Sequence, residues 1–245
     1  MTSLPAAPQD LRCVAILLDV DGTILDLAPT PREVFVSSEL RTTLARLFDR
    51  TGGALALVSG RPLAELDLLF APLELPIVGG HGAEIRPRPH GAVARGAASP
   101  LADDLKRRLA TIAAAGPGIL LEDKDYSLAI HYRLAPEKEA MVRQAVLDIC
   151  EELAPSSVEV LPGKLVVEVK SAGFDKGVGV SRLMAQPPFK GRTPIFIGDD
   201  TTDEAAFAVL PQFHGMGFSV GRAMPGAVAC FATPHDVRTW LEQIA

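Results

Sequence analysis

The sequence predicts an α/β protein with a parallel-sheet core and an inserted α+β cap domain. Short continuous apolar runs alternate with helical apolar patterns at both ends of the chain, as in parallel sheets with crossover helices. Between about residues 85 and 170 this alternation gives way to hairpins and amphipathic helices. We therefore expect a core formed by residues 1–84 and 171–245 around a cap formed by residues 85–170.

The first part of the core contains three expected strands. Val14–Leu18, Ala54–Val58 and Leu75–Val78 have the composition of strands that are buried on both faces of a sheet. Between the first two strands, a helix is indicated by apolar residues at helical spacing: Leu40, Leu44, Leu47 and Phe48. Pro62 stands where a second helix is expected to begin.

The second part of the core repeats this order. Asp175–Met184 is expected to be helical, Pro194–Ile197 to be a strand and Thr202–Leu210 to be a helix. Thr233 as N-cap and Pro234 at the first helical position begin a closing helix. The strand and helix alternation of a parallel sheet is therefore present on both sides of the cap.

In the cap, a helix followed by a hairpin occurs twice. Ser99-Pro100 opens the first helix, and the first hairpin spans residues 119–133. Pro136 opens the second helix, and the second hairpin spans residues 158–170 with its turn at Pro162-Gly163. Two helices packed on one antiparallel sheet is the simplest fold for this order.

The composition argues against several classes of protein. A formal net charge of −6 disfavours binding to a nucleic-acid backbone, which requires a basic face. Cys13, Cys150 and Cys230 are far apart among apolar neighbours, so we expect buried thiols in a reducing cytoplasm. Neither a signal sequence nor a membrane-spanning run is recognisable, and no membrane association is expected.

The segment Asp19 to Thr23 begins where the first strand stops. The carboxylates of Asp19 and Asp21 are thereby placed at the carboxyl edge of the sheet, where open parallel sheets bind ligands. Two acids at this spacing suit attack on phosphorus by one and proton transfer by the other. A polar turn with a helix cap is the alternative interpretation of this segment taken alone.

A second acidic cluster follows the strand Pro194–Ile197. It contains Asp199, Asp200, Asp203 and Glu204, and two such clusters at strand ends predict a Mg²⁺ site built from oxygen ligands. An acidic helix N-terminus would explain Asp203 and Glu204 in part, but it does not explain both clusters together.

Ser59 and Lys176 complete the candidate catalytic set. Ser59 ends the second strand and Lys176 opens the helix before the second acidic cluster, so a hydroxyl and an ammonium could hold a phosphoryl group. Taken singly, Ser59 is equally consistent with a helix cap and Lys176 with a solvated charge. Their order along the chain between the two acidic clusters is what favours a catalytic role.

This order resembles the haloacid dehalogenase superfamily, whose phosphatases carry these four elements on a Rossmann-like core. The resemblance implies that Asp19 is the nucleophile and that Asp21 acts as acid and then base. It also implies that Mg²⁺ is held by the Asp19 carboxylate, the Asp21 backbone carbonyl and Asp199. Asp200 and Asp203 remain secondary acidic residues.

Further strings in the core and cap resemble the trehalose-6-phosphate phosphatase family. They are GGHGAE (79–84), EDKDYSLAIHYR (122–133), GKLVVEVK (163–170) and GDDTTDE (198–204). The resemblance implies that Glu122, Lys124 and Glu168 hydrogen-bond the sugar hydroxyls. The remaining candidate substrate contacts are Thr23, Arg61 and Lys164.

The expected activity is hydrolysis of trehalose 6-phosphate in trehalose biosynthesis, with a small sugar phosphate as the expected partner and neither nucleic acid nor membrane as a partner. One alternative is another capped sugar phosphatase, acting on sucrose phosphate, mannosylglycerate phosphate or a monosaccharide phosphate. A binding or regulatory module without turnover is a second alternative, and the complete set of catalytic residue types argues against it.

Overall fold

The computed structural model describes residues 8, 10–27, 33–95, 99–114, 116–163 and 165–245, without the side chain of residue 95. The chain divides into two compact units, Met1–Gly96 with Asp175–Ala245 and, between them, Ala97–Phe174. This division lies later along the chain than the expected cap boundaries at residues 85 and 170. The difference at the first boundary arises because two further strands extend the core sheet beyond residue 84.

The first unit contains an eight-stranded sheet in the order β12-β11-β10-β1-β2-β3-β4-β5. The neighbouring pairs from β12 to β3 are parallel, whereas β4 and β5 join the β3 edge in antiparallel orientation. The strands are β1 Val14–Leu18, β2 Leu55–Val58, β3 Ile77–Gly79, β4 Glu84–Arg86, β5 Ala94–Arg95, β10 Thr193–Gly198, β11 Met216–Val220 and β12 Ala227–Phe231.

Helices pack on both faces of this sheet. They are α1 Ser38–Arg50, α2 Leu63–Phe70, α5 Lys176–Met184, α6 Glu204–Val209 and α7 Pro234–Ile244. Ile16 and Leu18 of β1 belong to one apolar cluster with α1, α2 and α7, while Ala15 and Leu17 belong to another with α5 and α6. Because successive strand residues point to opposite faces, the continuous apolar run of β1 is buried on both sides.

The second unit contains a four-stranded antiparallel sheet in the order β6-β7-β9-β8. Its elements are α3 Asp103–Ala113, β6 Leu120–Asp123, β7 Ser127–His131, α4 Glu139–Leu153, β8 Val158–Gly163 and β9 Val166–Ser171. Leu128 and Ile130 of β7 belong to one buried cluster with apolar residues of α3 and α4. The predicted fold class, a parallel-sheet core with an inserted α+β cap, is confirmed.

Several predicted element boundaries in the cap were wrong. The first helix begins at Asp103, because the preceding segment bonds elsewhere: Ser99 O accepts from Ser171 Oγ and Leu101 N donates to Asp125 O. Pro136 opens a short 3₁₀ turn, Pro136–Lys138, ahead of α4. Pro162-Gly163 lies within β8, which is an edge strand and therefore tolerates proline.

The three cysteines differ in their exposure. Cys150 is buried, as expected, whereas Cys13 is exposed and Cys230 is half-buried. The prediction that Cys13 is buried was therefore wrong. The side chain of Cys13 lies beside the carboxylate of Asp10 in the turn before β1.

None of the helices in the described part of the chain combines the length and apolarity needed to cross a membrane.

Candidate active site

The candidate catalytic residues follow three neighbouring strands of the core sheet. Asp19 comes directly after β1, Ser59 after β2 and Asp199 after β10, and these strands lie side by side in parallel. Their carboxyl ends therefore meet at one edge of the sheet. Lys176 is the first residue of α5, a helix that packs on one face of the sheet, and its Nζ reaches the carboxylate of Asp19 at this edge.

The carboxylate of Asp19 is buried and lies within hydrogen-bonding distance of two donors. Lys176 Nζ donates to Asp19 Oδ1 at 2.8 Å, and Thr23 Oγ1 lies 3.0 Å from Asp19 Oδ2. Thr23 Oγ1 is also 3.2 Å from Asp199 Oδ1, and because a hydroxyl has one proton it serves one of these acids at a time. Thr23 thus lies between two carboxylates, and its contact with substrate stays a prediction.

Asp203 organises the second acidic cluster. Its Oδ1 accepts from Lys176 Nζ at 2.7 Å, and its Oδ2 accepts from the backbone N–H groups of Asp199 and Asp200 at 2.9 and 3.0 Å. Asp200 in turn caps the turn that precedes α6, accepting from Thr201 N at 2.7 Å. Asp203 therefore orients both the lysine and the loop that carries Asp199.

Crowding of acids changes the pKa values at this edge. Burial raises the pKa of Asp19 to about 7, helped by the negative charge of Asp203 and opposed by Lys176. Burial and the neighbouring Asp19 raise the pKa of Asp199 to about 8. Burial alone would lower the pKa of Lys176, but the carboxylates of Asp19 and Asp203 outweigh it and hold that pKa above its ordinary value.

These carboxylates form a donor set that fits a hard divalent cation. Oxygen atoms of Asp19, Asp199 and Asp203 lie within 4.8 Å of one another. Asp203 accepts three hydrogen bonds, two of them on Oδ2, whereas each oxygen of Asp19 faces one donor and Thr23 lies beside Asp199 Oδ1, so Asp19 and Asp199 have more lone-pair capacity for a cation. Gly22 has φ +84°, and a Cβ there would lie 2.2 Å from Asp199 Oδ2, so glycine gives Asp199 room beside the acid pair.

Asp21 forms a separate group with Arg61 and Ser59. Arg61 Nε and Nη2 donate to the two oxygens of Asp21 at 2.6 and 2.8 Å, which is a bidentate pair. Ser59 Oγ accepts from the backbone N–H of Arg61 at 3.1 Å, so the serine also supports this turn. The structure thus ties Arg61, a predicted substrate contact, to the predicted acid and base.

The predicted sugar contacts Glu122, Lys124 and Glu168 lie together in the second unit. Lys124 Nζ is 3.9 Å from Glu122 Oε2 and 3.4 Å from Glu168 Oε2. Burial alone would raise the pKa of Glu122, but the hydrogen bond from His131 and the charge of Lys124 hold it below its ordinary value. The predicted contact Lys164 lies outside the described residues.

Three side chains in these clusters have contacts that were not predicted. Asp203 was expected to be a secondary acid, although the spacing of Asp200 and Asp203 around a helix start matches a capping box. Ser127 and His131 contact Glu168 and Glu122, and neither was a candidate site residue. The signal for these two is their alternation along β7, since residues 127, 129 and 131 share one face of a strand.

Comparison with known proteins identifies the family. The trehalose-phosphatase family model matches residues 17–231. A probable trehalose-phosphate phosphatase of Sinorhizobium fredii is 41% identical over 231 residues, which cover 94% of this chain and 86% of that protein. The trehalose-6-phosphate phosphatase of Escherichia coli is 38% identical over 244 residues, covering 98% and 90%.

A solved structure shares the fold. The C-terminal domain of a Candida albicans trehalose-6-phosphate phosphatase superposes with a TM-score of 0.84 at 22% identity, covering 95% of this chain and 92% of that one. The resemblance predicted from sequence is confirmed by the family match and by the relatives at 38% and 41% identity. The chain belongs to the trehalose-phosphatase family.

Proposed function

We propose that this chain hydrolyses trehalose 6-phosphate to trehalose and inorganic phosphate, in trehalose biosynthesis, through a phosphoryl group carried transiently by Asp19. The observation that carries the proposal is the buried Asp19 carboxylate held between Lys176 and Thr23, in a chain of a phosphatase family. The relative from Escherichia coli is named as a trehalose-6-phosphate phosphatase, and the one from Sinorhizobium fredii as a probable trehalose-phosphate phosphatase.

In the first step, Asp19 attacks phosphorus and the bond to the sugar 6-oxygen breaks. Lys176 and Thr23 fix the plane of the carboxylate, so little reorientation precedes attack. The ammonium of Lys176 also offsets negative charge on the phosphoryl oxygens. Asp203 holds this ammonium in place from its other side.

Asp21 moves the protons. In its protonated form it gives a proton to the departing sugar oxygen, and as a carboxylate it then takes a proton from the water that hydrolyses the phospho-aspartate. Arg61 fixes the orientation of this carboxylate through two hydrogen bonds. One residue thus serves both half-reactions.

Mg²⁺ is the proposed cation, with the Asp19 carboxylate, the Asp21 backbone carbonyl and Asp199 as protein ligands. When bound, it would supply charge neutralisation for the crowded acids and for the phosphoryl oxygens. The raised pKa values of Asp19 and Asp199 support this assignment, because two buried acids this close require a nearby positive charge to ionise together.

Recognition of the disaccharide is assigned to the cap cluster Glu122, Lys124 and Glu168. Two acceptors and one donor suit neutral hydroxyl groups, and a site of this kind penalises sugars that leave its polar groups unpaired. This set of polar groups favours trehalose 6-phosphate over a monosaccharide phosphate, which would satisfy fewer of the three side chains.

The proposed location of the protein is a reducing cytoplasm. All three cysteines are unpaired, which supports this location.

A substrate panel tests the proposal. Phosphate release with Mg²⁺ should show kcat/KM for trehalose 6-phosphate at least about a hundredfold above glucose 6-phosphate and sucrose 6-phosphate. Alanine at Glu122 or Glu168 should reduce this preference while sparing p-nitrophenyl phosphate, whose small alcohol has no sugar hydroxyls. Equal efficiency on all three sugar phosphates would leave a generic sugar phosphatase and remove trehalose from the proposal.

A further inference from the structure

The sheet of the second unit has one apolar and one polar face. Leu128 and Ile130 of β7 belong to the buried cluster with α3 and α4. The alternate residues of the same strand, Ser127, Ala129 and His131, therefore point to the other face. This is the face that carries the carboxylates of Glu122 and Glu168, because both are cross-strand partners of Ala129.

The two carboxylates stand on either side of a small residue. Ala129 of the central strand β7 pairs with Glu122 on β6 and with Glu168 on β9. Ser127 and His131 lie two residues before and after Ala129, so one polar side chain flanks each end of this row. Each of them contacts one of the two acids.

His131 contacts Glu122. The distance from His131 Nε2 to Glu122 Oε2 is 2.8 Å, and both side chains are largely buried. An ionised carboxylate accepts hydrogen bonds and donates none, so the ring nitrogen that faces it must carry the proton. His131 therefore donates to Oε2, the oxygen of Glu122 that also faces Lys124.

Ser127 contacts Glu168 in the same manner. Ser127 Oγ donates to Glu168 Oε1 at 2.5 Å, and the serine is buried. Lys124 Nζ lies 3.5 Å from Glu168 Oε1 and 3.4 Å from Glu168 Oε2, so the hydroxyl of Ser127 makes the shorter contact with Oε1. The short hydrogen bond from the buried Ser127 therefore restrains the orientation of the Glu168 carboxylate.

We propose that His131 and Ser127 are positioning residues, which hold Glu122 and Glu168 in the orientation that recognises the sugar. This inference rests on the proposed function, in which those two acids bind the hydroxyls of trehalose 6-phosphate. The central strand β7 thus supplies one fixed donor for each carboxylate on its neighbouring strands. Each acid keeps further lone pairs for a sugar hydroxyl.

Two pairs of variants separate a donor from mere bulk. His131→Leu removes the donor and His131→Gln retains an amide nitrogen at about the same reach, while Ser127→Ala removes the hydroxyl and Ser127→Thr retains it. Lys106→Gln is the matched control. It removes the 2.9 Å contact of Lys106 with Asp123, the strand neighbour of Glu122 that points to the opposite face.

Steady-state kinetics on trehalose 6-phosphate and p-nitrophenyl phosphate give the result. His131→Leu and Ser127→Ala should each lower kcat/KM for trehalose 6-phosphate about tenfold or more, mainly through KM, and leave p-nitrophenyl phosphate within about twofold. The Gln and Thr variants should recover most of the loss, and Lys106→Gln should resemble the wild type.

The outcomes are distinguishable from a failure of the proposed function. If the wild type shows no preference for trehalose 6-phosphate, the proposed function is wrong and this inference is overturned with it. If the wild type has the preference and both donor-lacking variants keep it, only the positioning role is overturned. The same holds if the variants lose both substrates equally or if Gln and Thr restore nothing. Should His131→Leu fail to fold, the Ser127 pair decides the outcome.

Discussion

Asp203 is the residue on which the surroundings of Asp19, the proposed nucleophile, most depend. It is fully buried, and its carboxylate accepts three hydrogen bonds, one from Lys176 and two from the backbone of the loop that carries Asp199. This carboxylate links the ammonium of Lys176 to the loop that carries Asp199, a proposed metal ligand. Asp203 comes four residues after Asp199 in sequence, and the tight turn that leads into α6 brings its carboxylate to the backbone of Asp199.

Replacing Asp203 by Asn should impair both stability and turnover. One amide oxygen can still accept, but the NH₂ group then faces either Lys176 or two backbone N–H donors. We expect a loss of about 2–4 kcal/mol in unfolding free energy, as for other broken buried ion pairs, and at least about tenfold in kcat. Urea unfolding and phosphate release measure these; the control Glu204→Gln should change neither. Wild-type stability in Asp203→Asn would contradict the assigned role.

Arg61 should matter through its fork of donors to Asp21. Lysine at this position keeps the charge but cannot make the bidentate contact, so Arg61→Lys should lower kcat for trehalose 6-phosphate about tenfold or more. Glu65 is the weaker ion-pair partner of Arg61 at 3.6 Å, and Glu65→Gln serves as the control with nearly normal kcat. A fully active Arg61→Lys variant would show that the Asp21 orientation does not require the fork.

At the scale of elements, the site depends on the turn after β1. The chain leaves β1 at Asp19 and turns back so tightly that Gly22 N donates to Leu25 O at 2.8 Å. Gly22 takes a positive φ in this turn and stands against the carboxylate of Asp199. The strand ends and the turn geometry together place the two acidic clusters side by side.

Gly22→Ala should weaken metal binding more than its backbone strain alone explains. Both Gly22 and Gly221 have positive φ, +84° and +76°, so alanine should cost each about 1–3 kcal/mol in unfolding free energy. A Cβ at Gly22 meets Asp199, whereas a Cβ at Gly221 meets nothing within 4 Å. Only Gly22→Ala should raise the Mg²⁺ concentration for half-maximal activity. Equal metal dependence in the two variants would contradict the account.

The sequence predicted the central elements well because each carries its own pattern. The run Val14–Leu18 forms a strand over those same residues, and Thr233 caps the last helix as expected. Strands β11 and β12 were not predicted, since Met216–Val220 contains glycine and serine and is a strand through its pairing with β10 and β12. Short elements of this kind are defined by their neighbours.

Part of the candidate site was also predictable from the sequence, and part was not. Asp19, Ser59 and Asp199 each follow a predicted strand, and the carboxyl ends of parallel strands meet at one edge of the sheet, so their proximity could be predicted. The bidentate pairing of Arg61 with Asp21 joins residues that are 40 apart in sequence, and no local sequence pattern predicts it. Side-chain partners of this kind depend on rotamers and packing, which the spacing of residues does not determine.

At the scale of the whole molecule, the charges of Asp19 and Asp199 should couple the proposed metal binding to pH. Without a cation, the pKa of Asp19 is about 7 and that of Asp199 about 8, against an ordinary value of 3.8. At pH values between 3.8 and about 8, Asp19 and Asp199 bind protons in the native chain that the same groups have lost in the unfolded chain. Raising the pH through this range therefore disfavours the metal-free native state, and a cation must displace the remaining protons.

Stabilisation by Mg²⁺ should accordingly grow with pH. We expect the rise in Tm on adding Mg²⁺ to be larger at about pH 8.5 than at about pH 6, since proton competition for Asp19 and Asp199 is weaker at the higher pH. Calorimetry in buffers of different ionisation enthalpy should detect proton release on binding near pH 6.5. Asp199→Asn should reduce both effects. Stabilisation that is independent of pH would contradict the raised pKa values.

The central claim is that Asp19 carries the phosphoryl group and that Asp21 assists its hydrolysis. The most direct measurement uses Asp21→Asn with p-nitrophenyl phosphate, whose leaving group needs little protonation, so that phosphorylation proceeds while hydrolysis is slow. After acid quench, borohydride reduction converts an aspartyl phosphate to homoserine, and peptide mass spectrometry locates it. The account predicts homoserine at position 19, formed only with substrate and absent from the Asp19→Asn, Asp21→Asn double variant. A burst of p-nitrophenolate from Asp21→Asn with residue 19 unmodified would contradict it.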